Sequence, residues 1–166
     1  MIKKLIALGV LAAVLKTSGF LPFQSSDVAE LVPVRALVVC KEAENIVLDG
    51  GACVGVGKSW QSAWEDLQRS AEGHVFLGTA DHVILCGSAM ELLPQVLESE
   101  TLRPAASICV SDEGVNAIKA ADYLDAHDGG VNLRQVQILR QREGVVKLPE
   151  LVQTEGGFRL YGAQDR

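Results

Sequence analysis

What this sequence has little of narrows it first. Only 5% of its residues are aromatic, and 15 lysines and arginines face 21 aspartates and glutamates, for a net charge of −6. No basic stripe interleaves with aromatic rings, so the footprint of nucleic-acid binding is missing. There is no His-Glu-x-x-His, no Gly-x-Ser-x-Gly elbow, and no carboxylate pair at a distinctive spacing. No two of the four cysteines have the Cys-x-x-Cys spacing of a metal site. No repeat or low-complexity segment interrupts the chain.

What is present describes a globular protein. An apolar share of 48% and a charged share of 22% over 166 residues suit one domain with a real core. Lys3 and Lys4 precede an apolar run from Leu5 to Leu15, followed by Lys16, Thr17, Ser18 and Gly19. That is the layout of a secretory signal. The run falls short of the ~20 residues a spanning helix needs, and Lys16 and Pro22 interrupt its extension through Phe23. Residues 1–24 are therefore expected to be a signal peptide or an N-terminal membrane anchor, with residues 25–166 forming one domain. The expected location is the extracytoplasmic face of a membrane, touched through residues 5–23 if these stay uncleaved.

Each cysteine sits in an apolar, strand-like run (Val38-Val39-Cys40, Ala52-Cys53-Val54, Ile84-Leu85-Cys86, Ile108-Cys109-Val110), where a free thiol behaves as a small buried hydrophobe. Core packing is the expectation for all four. Cys86 and Cys109, on strands expected to be neighbours, are the pair placed for a bridge.

The stretch Gly51 to Trp60 invites a nucleotide reading because it contains Gly57-Lys58-Ser59. A phosphate loop needs its first glycine five residues before that Gly-Lys pair, where Ala52 stands. Cys53, Val54 and Val56 alternate as in a strand. The stretch reads as a strand, a glycine turn and a helix capped by Ser59, with Trp60, Ala63, Trp64, Leu67 and Ala71 on one face. Upstream, Leu31–Lys41 and Ile46–Val56 read as a β-hairpin. Downstream come a strand at His82–Cys86, a helix from Ser88 to Glu98 containing Pro94, and a strand at Ala105–Val110. A helix capped by Ser111-Asp112, a segment over 131–142 whose pattern fits helix or strand and is read as helix, and an edge strand at Phe158–Tyr161 complete the pattern. The fold class is α/β: a mixed sheet that starts with a hairpin and is flanked by helices, in a single domain.

His82, next to Asp81, is the one histidine that resembles an oriented base, and an Asp–His contact is the structural expectation there. No catalytic, cofactor-binding or metal residues are assigned, and no enzyme activity is expected.

Taken in order, several segments resemble the N-terminal domain of the Ger(x)C proteins, the C subunits of spore germinant receptors. They are Asp27–Leu31 leading into Val34–Val39; Gly57-Lys58-Ser59 with Ala63; and Phe76-Leu77-Gly78 before Val83–Gly87. Arg103-Pro104 ahead of Ser107–Ser111, and Leu148-Pro149 with Phe158–Ala163, continue the series. The likeness spans about residues 27 to 165. Phe20 follows Ser18-Gly19 where the family has its acylated cysteine, and the family's C-terminal domains have no counterpart here. The resemblance implies a non-enzymatic, membrane-associated subunit that works beside integral membrane receptor subunits. The alternative is a secreted small-molecule-binding domain, with its ligand near Gly57, Gly87 and Ser111 at the carboxyl ends of the strands.

Overall fold

The computed structural model describes residues 31–127, 130–144 and 146–162. The expected signal or anchor of residues 1–24 lies outside them. Among the described residues no helix is long and apolar enough to cross a membrane.

Seven strands form one mixed sheet: β2 (Ala36–Glu42), β3 (Asn45–Asp49), β4 (Val54–Gly57), β6 (His82–Cys86), β7 (Ser107–Ser111), β8 (Glu150–Thr154) and β9 (Gly157–Tyr161). Their order is β4-β3-β2-β6-β7-β8-β9. The four central strands β2, β6, β7 and β8 run parallel, and antiparallel partners finish both edges. The expected α/β sheet with its leading hairpin is the observed fold. Two further strands, β1 (Leu31–Pro33) and β5 (His74–Phe76), pair in parallel as a separate ribbon. The valine-rich run expected as one strand is thus divided, with β1 and β2 in different sheets. The second arm of the hairpin is divided too, by a turn in which the Gly50 amide donates to the Cys53 carbonyl.

Alternation along β2 sorts the core. Leu37 and Val39 point to one face and Ala36 and Val38 to the other, and all four are buried. The first face is covered by three helices: α1 (Trp60–Ser70), α2 (Leu93–Glu98) and α4 (Leu133–Glu143). On the second face, α3 (Ala117–Asp125) packs Ala117, Ala120, Ala121 and Leu124 against the central strands. Small alanines let this helix sit close to the sheet. Beyond its reach Val54 and Val56 of β4 stay exposed, as does Ile118 on the helix itself.

Helix starts follow side-chain chemistry. Ser59 caps α1 as expected, through a reciprocal arrangement with Ser62. Trp60 and Trp64 lie partly buried against the core, while Ala63 and Leu67 are fully buried. Gly55 and Gly57 are required by the approach of α1. A Cβ on Gly55 would lie 2.2 Å from the Ala63 carbonyl oxygen, and one on Gly57 2.3 Å from the Ala63 nitrogen.

Two expected helices begin elsewhere. Ser88 does not cap a helix; its hydroxyl accepts from the Lys41 amide, and a 3-10 turn over Gly87–Leu92 leads to α2, which Pro94 opens rather than bends. Met90, on the 3-10 turn, is exposed. Asn116, not Ser111-Asp112, caps α3, because β7 extends through Ser111.

Candidate functional site

The two ends of the parallel strands differ in chemistry. At the amino end His82 opens β6 and Ser107 opens β7, and strand register sets them opposite each other. His82 Nδ1 lies 2.7 Å from Ser107 Oγ, and Nε2 lies 2.7 Å from Asp125 Oδ1 at the end of α3. The Ser107 hydroxyl donates to Nδ1 and Nε2–H donates to Asp125, an assignment that gives each hydrogen one acceptor. Arg35, just before β2, donates to Asp122 at 2.8 Å and also to Asp125. Asp81, the residue beside His82, pairs with Arg103 instead. The Asp–His contact expected from the sequence therefore exists with a different aspartate, 43 residues away.

Serine, histidine and aspartate in a row are the parts of a nucleophilic relay. What acyl transfer also needs is a pair of free donors for the developing oxyanion. Here the Ser107 amide donates to the Asp81 carbonyl at 2.8 Å, and the Ile108 amide to Val131 at 3.0 Å. His82 is 7% exposed, with both ring nitrogens engaged. The arrangement fastens the starts of β2, β6 and β7 to the carboxyl end of α3. The Asp125 carboxyl is held below its ordinary range, first by the Arg35 hydrogen bond and then by the one from His82.

None of Ser107, Asp125, Arg35 and Asp122 was legible as a group in the sequence. Register between parallel neighbours is the one signal that could have placed Ser107 with His82; nothing local marks Asp125.

The bridge weighed between Cys86 and Cys109 is not formed. Cys86 bonds Cys40 at the carboxyl end of β2, with Cα atoms 4.8 Å apart, while Cys109 is a free buried thiol. Register explains the choice: Val39 stands opposite Leu85, so Cys40 and Cys86 are the next pair along, whereas Cys109 faces Ile84 and Cys86 faces Ser111. Core packing, expected for all four cysteines, holds for Cys53, Cys86 and Cys109, and Cys40 packs partly buried against the core. Burial pushes the Cys109 thiol up to about 12, and burial followed by Asp49 raises that of Cys53.

Upstream of the Gly-Lys-Ser residues two amides are taken by the protein's own carboxylates, and the Ser59 amide donates to the Ser62 hydroxyl at 3.0 Å. Gly51 N donates to Asp49 at 2.7 Å and Val56 N to Asp66 at 2.9 Å. Val54–Gly57 is strand β4 rather than a loop wrapping an anion, and Lys58 is exposed.

At the carboxyl end, Gly87, Val110, Ser111, Asp112, Leu148 and Tyr161 help line an open cleft of about 430 Å³. Gly87 and Ser111, named together from the sequence, do meet here. Gly57 does not, since β3 and β2 separate its strand from β6. Among the described residues no group of histidine, cysteine and carboxylate side chains could hold a metal ion. No family model, curated protein or solved structure matches the chain.

Proposed function

We propose that this chain is a non-enzymatic, extracytoplasmic protein that works by association with integral membrane subunits, in the manner of a spore germinant-receptor C subunit. The observation that carries the reading is the Cys40–Cys86 disulfide. Such bonds persist in oxidising compartments outside the cytoplasm, which is where the charged start and apolar run of residues 3–15 would direct the chain. The bond lies between β2 and β6, two of the strands on which the Ger(x)C resemblance rests. Association rather than catalysis is supported at the amino end of the sheet, where the amides beside Ser107 are already committed to backbone carbonyls.

Crosslinking in spore membranes tests the proposal. The expected result is recovery of the chain with polytopic receptor subunits, and a Cys40–Cys86 pair that resists alkylation until it is reduced. Recovery from the soluble fraction alone, or a pair alkylated without reduction in protein taken from its native host, would defeat it.

A further inference from the structure

The carboxyl-end cleft has the features of a small-molecule site. Its volume of about 430 Å³ lies within the range of roughly 300–1,000 Å³ that ligand pockets occupy. Met90, Val110, Leu148 and Tyr161 give it an apolar wall, and Met90 and Tyr161 are 37% and 39% exposed. Ser111, which lines the cleft, is only 4% exposed, and its hydroxyl makes no hydrogen bond among the described residues.

Charge selects the kind of ligand. Asp112 lines the cleft, and Glu113 follows in an adjoining concavity that Ser111 and Asp112 also border; Lys147 is the single cationic side chain among the described residues lining either. Carboxylates in excess, a serine oxygen able to accept, and a tyrosine ring whose face attracts cations describe one chemistry. We infer that this cleft binds a small organic amine with an apolar body. The ammonium donates to Asp112 and Ser111, and the hydrocarbon lies along Val110, Leu148 and the Tyr161 ring. The inference does not depend on the receptor reading, because it uses only the residues that line the cleft and the concavity beside it.

Three probes of equal length test it: hexylamine, hexanol and hexanoate, each titrated calorimetrically into the full chain at neutral pH. Hexylamine should bind, and Asp112→Asn should weaken it about tenfold or more, the loss expected for one hydrogen bond to a charged group. Tyr161→Ala should weaken it as well, whereas Glu98→Gln, in a groove between α2 and α4, should not. Asp112 and Tyr161 are exposed, and an unchanged melting temperature establishes that the variants are folded. Hexanol binding as tightly as hexylamine would overturn the inference, because the carboxylates would then play no part. Preference for hexanoate, or no binding by any probe, would overturn it too.

Discussion

The parallel strands β2, β6 and β7 end in opposite ways. At their amino ends, His82, Ser107, Asp125 and Arg35 consume one another's hydrogen-bonding capacity, and the surrounding amides are spent on carbonyls. At their carboxyl ends the chain leaves a hollow with exposed Met90 and Tyr161 and the unpartnered hydroxyl of Ser111. In open parallel sheets ligands collect outside the carboxyl ends of the strands. The contrast teaches that a triad-like row of side chains is weak evidence of chemistry where everything around it is satisfied, and that unspent capacity is the better guide.

Mutation should separate the two ends by magnitude. The largest effect belongs to the disulfide, which closes a loop of 46 residues. Replacing Cys40 and Cys86 with serine should cost about 4 kcal/mol on the loop-entropy relation, read from urea unfolding at neutral pH. Next comes the polar end. His82→Ala removes two hydrogen bonds at a buried position and should cost about 2–3 kcal/mol by the same measurement. A loss below that of an ordinary surface substitution would mean that the amino end is not fastened as described.

Acid should act on the same end. Because the folded value of Asp125 is lowered, its contribution is complete above the ordinary carboxylate range near pH 4 and is lost as pH falls through the folded value. Unfolding curves between about pH 5 and 2 should show a loss in the wild type that is smaller in Asp125→Asn. Ala43, the one described non-glycine residue with positive φ (53°), turns the hairpin between β2 and β3; Ala43→Gly should stabilise by up to about 1 kcal/mol in thermal melts. The smallest effect is expected in the cleft, where Tyr161→Ala should stay within about 0.5 kcal/mol of the wild type. A larger loss would mean that the open end is structural after all.

The sheet and its leading hairpin were legible because valine-rich runs and turn residues carry local signals. So was α1, from the Ser59 cap and the spacing of Ala63 and Leu67. Local signals also misled: Ser88 and Ser111-Asp112 look like helix caps, yet one bonds a neighbouring strand and the other continues β7 and its following loop. The disulfide partner and the His82 cluster depend on which strands adjoin and in what register, with separations of 46 and 43 residues along the chain. No window of sequence contains that information. Gly55 and Gly57 lie between these cases. Their presence was visible, but their reason is the helix backbone that presses on them.

The bond between β2 and β6 also sets how the molecule would answer a mechanical load. Pulled from both ends, the chain could not pay out the segment between Cys40 and Cys86 until that bond was reduced. At about 3.5 Å per extended residue, the 46-residue separation withholds about 160 Å of contour length. The hairpin turn, β3, β4, α1 and β5 all lie inside the withheld loop. Under tension the molecule would therefore unravel from its carboxyl half, through β9, β8 and the two helices before them, while the first half stayed tied as a knot in the line.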